Sequence, residues 1–180
     1  MSKSLDIYRK IIPSLHQLNW HALQYALYCA VLAEKRMRRG EVKIKHTSYP
    51  ACVACFQSDI CSNIGYGYSG QYKLQPNSFR HPLHIMLKTL GKIGEKSYVT
   101  GSKNLIGKCA EVSAVNTFLY ECEKCHRNNT YIYYPYGCGR YHVESMIDTK
   151  EFLISEAFRP RTLEHIERCE NCKNLFGTNY

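Results

Sequence analysis

The stretch K-C-A-E-V-S-A-V-N-T-F-L-Y-E, Lys108 to Glu121, decides how the chain is read. From Cys109 to Glu121 the spacing is helical, with Val112, Val115 and Leu119 on one side, so a helix opens at a cysteine and carries Glu111 in its first turn. A second segment of the same design, R-C-E-N-C-K-N-L-F from Arg168 to Phe176, begins its C-x-x-C pair 58 positions after Glu111. Catalytic zinc takes three protein ligands and keeps one position open for water, and thiolates serve it at ~2.3 Å. Cys109, Cys169 and Cys172 make that count. Glu111 stands two positions beyond the first ligand, at a helix start where side chains lean toward the N-terminus, so it can reach the water without binding the metal. Hydrolytic deamination needs this arrangement.

Upstream, Leu15 to Gly40 reads LHQLNWHALQYALYCAVLAEKRMRRG, with an apolar centre from Ala22 to Ala33 and then Lys35, Arg36, Arg38 and Arg39 ahead of Gly40. Basic residues in a last turn followed by glycine stop a helix. The pattern predicts a long, largely buried helix over residues 14–39. Glu41 to Thr47 alternates like a strand, and the Tyr- and Gly-rich stretch from Ile64 to Leu74 predicts a second strand or hairpin. A short helix follows between His84 and Leu90. Downstream, Thr130 to Tyr134 and Glu151 to Ile154 read as strands, and Cys169 to Phe176 as a last short helix. A helix, then strands, then alternating helices and strands predict an α/β fold around one sheet. At 180 residues, with no internal repeat, residues 1–180 are expected to form a single domain.

The C-A-E and C-x-x-C fragments together resemble the zinc site of the cytidine-deaminase-like superfamily, whose signature is H-x-E followed by P-C-x-x-C, with Cys allowed in place of His. More narrowly, KCAEVSAVNTFL with the later RCENCKNLF is similar to the YwqJ-like deaminases, toxin domains of bacterial polymorphic toxin systems. Arg168 stands where proline often precedes the pair, and the distance between the motifs is long. The resemblance implies a three-layer α/β/α sandwich with a central mixed sheet, zinc on Cys109, Cys169 and Cys172, and Glu111 as proton shuttle. It also implies deamination of a nucleobase, cytosine ahead of adenine. For a toxin-type domain it implies delivery into a target cell's cytoplasm and an immunity protein as partner. Three thiolates carry one more negative charge than an imidazole with two thiolates, which makes the metal a poorer Lewis acid. Two helix N-termini, with Lys108 and Arg168 beside them, are expected to offset this.

Composition widens the reading. The chain has 24 Lys and Arg against 15 Asp and Glu, a net charge of +9, which favours a polyanionic partner. Its 15 tyrosines cluster at Tyr66, Tyr68 and Tyr72 and from Tyr131 to Tyr141, where rings stack on unpaired bases or simply suit strands. Single-stranded DNA or RNA is therefore the expected substrate, with Ser102, Asn104, Tyr131 and Tyr133 as candidate contacts. The start lacks the pattern of a signal peptide, and no uncharged apolar run approaches the ~20 residues of a membrane span, so a cytoplasmic protein is expected. Six of ten cysteines form three C-x-x-C pairs, which suits metal binding in a reducing compartment. Cys52, Cys55, Cys122 and Cys125 have the composition of a second, structural zinc site. A helix from Cys109 to Glu121 spans ~20 Å and keeps Cys122 away from the first metal. Two other functions use the same residues differently. A non-catalytic zinc-ribbon module that binds nucleic acid needs the cysteines and not Glu111, and a free nucleoside or nucleotide deaminase needs no basic surface.

Overall fold

The six residues Val53-Ala54-Cys55-Phe56-Gln57-Ser58 are buried along their whole length and form the strand around which the chain is built. The computed structural model describes residues 15–41, 49–58, 61–127 and 152–177. In chain order they form α1 (Leu15–Arg38), β1 (Val53–Ser58), β2 (Cys61–Tyr68), a short 3-10 turn (Pro76–Ser78), α2 (His81–Thr89), α3 (Ala110–Arg127), β3 (Phe152–Ile154), β4 (Ala157–Phe158), β5 (His165–Ile166) and α4 (Glu170–Phe176). Strand β1 is central: β2 lies along one side of it, while β3 and β4 pair with different parts of the other, and β5 extends from β4. The α/β class expected from the sequence is what these elements form.

Every described strand pair is antiparallel, so among the described residues the sheet is not the mixed one that was expected. Short links explain part of this, since β1 to β2 and β4 to β5 are joined by segments too short for the crossover that parallel strands require.

Alternation along β1 sends neighbouring residues to opposite faces. Phe56 packs with Phe118, Val115 and Val112 of α3, while Cys55 packs with Leu18 and Ala22 of α1. Leu18, Ala22, Ala26 and Ala33 are the buried positions of α1, and its small alanines let the helix lie close to the sheet. The opposite side of α1 is open, with Trp20 58% and Tyr28 57% exposed. The sequence reading of a largely buried helix is corrected here: an apolar run supplied one packed stripe, and only one face met the sheet. β1 itself was not read from sequence, and β2 ends at Tyr68, short of Leu74. The strands expected at Glu41–Thr47 and Thr130–Tyr134 fall almost wholly or wholly outside the described residues. None of the described helices is long and apolar enough to cross a membrane.

Helix α3 is seated by two missing side chains. Gly65 pairs with Phe56 and Gly67 with Ala54, and a Cβ on either would run into the backbone of α3 at Ala114. Absence of side chains there lets the helix backbone rest on β2, and the N–H of Gly70 then donates to the carbonyl of Lys108, one residue before Cys109. Gly67→Ala should therefore cost about 3 kcal/mol by overpacking. Gly70 has open space around it but a φ of +76°, so Gly70→Ala should cost only about 1 kcal/mol of backbone strain. Urea unfolding of both variants checks the order; equal losses would remove the seating role.

Candidate metal centre

Cys109 immediately precedes α3 and Cys169 is the N-cap of α4. Each carbonyl accepts the first helical bond, from Ser113 at 3.1 Å and from Lys173 at 3.0 Å. Cys172 follows one turn into α4 and is fully buried. The two helix starts bring the sulfurs of Cys109, Cys169 and Cys172 within 4.8 Å of one another. Cys109 and Cys169 are 3.1 Å apart at Sγ, well beyond the ~2.05 Å of a disulfide. Zinc–sulfur bonds of ~2.3 Å in a tetrahedral site set sulfurs ~3.8 Å apart, so small adjustments of this triad suffice to hold the ion. Without a metal the triad already behaves as one unit. The thiols of Cys109 and then Cys172 stabilise a thiolate on Cys169, pulling it down to about 2, with the Cys172 N–H and the Asn104 side chain helping. Cys109 is pushed up first by its hydrogen bond to Cys169. Cys172, like Cys109, holds its proton through its hydrogen bonds in the triad and its burial, so an ion bound there would displace protons; a soft three-sulfur set fits a thiophilic ion such as zinc.

Glu111 lies in the first turn of α3 and is only 3% exposed. Burial pushes its carboxyl up from the ordinary range, and the nearby Cys169 charge adds to this, while its own N–H, Arg168 and the Cys172 thiol pull it back. A carboxyl in this position sits against the sulfur cluster without being one of the three converging donors.

Arg168 links the centre to the sheet. Its guanidinium donates to the carbonyls of Ile154 at 2.7 Å and Gly177 at 3.1 Å, so it fastens both ends of α4 to the end of β3. Its charge also acts on Glu111 and Cys172. Lys108 is exposed beside Cys109, with its backbone carbonyl occupied by Gly70.

Behind the ligands lies a layer that the sequence did not disclose. Asn171, between Cys169 and Cys172, is 2% exposed; its Oδ1 accepts from Thr100 Oγ1 and its Nδ2 donates to the carbonyl of Asn104 at 3.1 Å. Asn104 in turn hydrogen-bonds through its side chain to Cys169, and its N–H donates to Ser102 Oγ at 3.2 Å. Of the candidate substrate contacts, Ser102 is thus buried support, and Asn104 touches Cys169. Tyr131 and Tyr133 lie outside the described residues.

Cys52 lies beside this centre without being one of its three converging sulfurs. It sits at the Ala110 N–H, close enough to Glu111 and Cys169 to feel their charge, and burial raises it to about 11. Cys55 is on the opposite face of the sheet, packed under α1 with its thiol raised by burial. Of the pair expected in a second zinc site, Cys52 thus sits by Ala110 of α3 and Cys55 under α1. Cys122 and Cys125 fall in the last turns of α3, ~20 Å along the axis from Cys109, and their side chains lie outside the described residues. One cysteine cluster with metal-holding geometry occurs among the described residues.

Comparison with protein-family profiles, curated proteins and solved structures gives no significant match. The reading of the centre therefore rests on its own geometry.

Asn171→Ala should lower zinc affinity about 10- to 100-fold, as loss of hydrogen-bonded support behind metal ligands does, whereas Cys55→Ala should leave affinity unchanged. Competition with a chromophoric chelator measures both; equal affinity in the Asn171 variant and the parent would show that the Asn171 layer does not organise the ligands.

Proposed function

We propose that the protein is a zinc-dependent hydrolytic deaminase of nucleobases, acting on cytosine in single-stranded nucleic acid. The observation that carries this reading is the buried carboxyl of Glu111 set against three converging cysteines. Burying a carboxyl is expensive, and a purely structural zinc module has no use for one. Helices α1 and α3 on opposite faces of β1 support the three-layer α/β/α architecture of cytidine-deaminase-like proteins. The choice of cytosine over adenine, and the toxin-type context with its immunity protein, follow from the motif resemblance. The net charge of +9 supports a polynucleotide over a free nucleoside.

Cys109, Cys169 and Cys172 would hold the ion. Zinc in such a site lowers the pKa of water toward ~7 and so supplies a nucleophile at neutral pH. The Glu111 carboxylate takes the proton from the attacking water and delivers it to N3 of the base as the bond from oxygen to C4 forms. It then takes the remaining proton from the new C4 hydroxyl and passes it to the exocyclic amine, the C4–N4 bond breaks as C4=O forms, and cytosine plus water has become uracil plus ammonia. Arg168 holds α4, and with it two ligands, against β3 throughout. Its positive charge beside Glu111 opposes the upward push of burial on the carboxyl.

Glu111→Gln should retain zinc and fold while losing turnover by about 10²–10⁴, the share contributed by general acid–base catalysis. Sequencing pools of single- and double-stranded DNA and RNA after incubation, with zinc measured in parallel, reads both quantities. Equal conversion by variant and parent on every substrate, or none by either, would defeat the enzyme reading.

A further inference from the structure

The chain between α2 and α3 is a braced loop with a bare tip. Leu90, Ile93 and Ile106 are buried and anchor its two arms, which also bridge at Lys96 and Leu105. The Gly94 N–H donates to the Ile106 carbonyl and the Ile106 N–H to the Glu95 carbonyl. Ser97, buried, turns the tip: its Oγ donates to the Leu90 carbonyl at 2.7 Å and accepts from the N–H groups of Val99 and Thr100. Between these clamps Tyr98 is 98% exposed and Val99 67% exposed. Among the described residues the Tyr98 ring has no hydrogen bond and no ring contact. A single exposed aromatic is ordinary on a protein surface. Here, however, the backbone is fixed on both sides of it, so the ring is presented at a set place without a packing role.

That place is tied to the metal centre. Two residues after Tyr98, Thr100 donates to Asn171; four residues further, Asn104 accepts from Asn171 and bonds to Cys169. The same segment and the last turn of α2 before it are strongly basic. Lys88, Lys92, Lys96, Lys103 and Lys108 are all exposed, against the single acid Glu95, which pairs with Lys92 at 2.7 Å. Lys88, Lys96, Lys103 and Lys108 form no ion pair among the described residues.

We propose that this loop is the docking surface for an unpaired polynucleotide strand, with Tyr98 stacking on a base that flanks the target and Lys96 and Lys103 meeting its phosphates. The inference rests on the reading that the adjoining metal centre acts on a base, and it adds the surface that holds the strand. Charge selects the polyanion. The ring selects an unpaired strand, because only unstacked bases offer a free face to an aromatic side chain. The bracing serves the same end, since a ring held in place before binding loses little freedom on binding.

The test uses the full chain and fluorescein-labelled 12-mers of deoxythymidine and of uridine, which contain no cytosine, with a mixed-sequence duplex as control. Fluorescence anisotropy should show both single strands binding more tightly than the duplex. Tyr98→Ala should weaken single-strand binding about tenfold, and Tyr98→Phe should restore it, because stacking needs the ring and not the hydroxyl. Lys96→Gln with Lys103→Gln should reduce the salt dependence by about 1.4 in log–log slope, at ~0.7 per phosphate contact in single strands. Zinc content and melting temperature of Tyr98→Ala should equal those of the parent, as expected for a ring that packs on nothing. Parent-like binding by Tyr98→Ala, or tighter binding to the duplex, would overturn the proposal. Tyr98-dependent binding without conversion of any cytosine-containing strand would uphold the docking surface and sink the deaminase reading. Deamination of free cytidine by a parent that binds neither 12-mer would do the reverse. A preference between the two 12-mers would identify DNA or RNA as the strand.

Discussion

The backbone of α3 rests on β2 at Gly65 and Gly67, and the position of the three-cysteine cluster depends on that close approach. Side chains at either glycine would push the helix away from the sheet, and Cys109 and Glu111 would move with it. The contact has a second side: Phe56, Val112, Val115 and Phe118 fill the space beside the glycines, so the helix is held close by apolar burial as well as allowed close by small residues. Each fully buried side chain of this kind contributes about 1.5–3 kcal/mol. The other half of the centre is fixed independently. α4 has only seven residues, too short to be stable alone, and Arg168 fastens it to β3 and to its own end. Because β3 and β2 both pair with β1, the two halves share one strand as their common reference.

Much of the centre was legible in the sequence because its information is local. A cysteine at a helix start followed by an acid, and a C-x-x-C pair at another helix start, are recognisable whatever surrounds them, and the structure brings these three sulfurs together. What the sequence hid depends on pairing across the sheet. β1 is buried on both faces, so it lacks the alternation by which a strand is read, and Cys55 within it and Cys52 just before it looked like a ligand pair. Register alone decides that Cys52 meets α3 and Cys55 meets α1. Asn171 is an unremarked polar residue in the sequence, and only the folded loop from Ser97 to Asn104 makes it a buried brace. The apolar run of α1 was plain, but nothing in it said that just one stripe, spaced by alanines, would face the sheet.

Electrostatics give the centre its chemical character. Three sulfurs and a carboxyl crowd into a space with little solvent, so negative charge there is self-repelling, and both burial and Cys169 push protons onto Glu111. Arg168 and the first-turn N–H groups of α3 act the other way. A divalent ion would neutralise much of the sulfur charge and so relieve the push that Cys169 exerts on Glu111. Such a balance suits an open catalytic site. A closed structural site would need a fourth protein ligand in place of water.

Zinc K-edge X-ray absorption of the purified protein tests this account most directly, because it counts the ligands. The account predicts about three sulfurs at ~2.3 Å and one oxygen at ~2.0 Å, with the oxygen retained in Glu111→Gln. Four sulfurs around zinc, or zinc absent from a folded chain supplied with it, would contradict an open three-cysteine centre and the chemistry proposed for it.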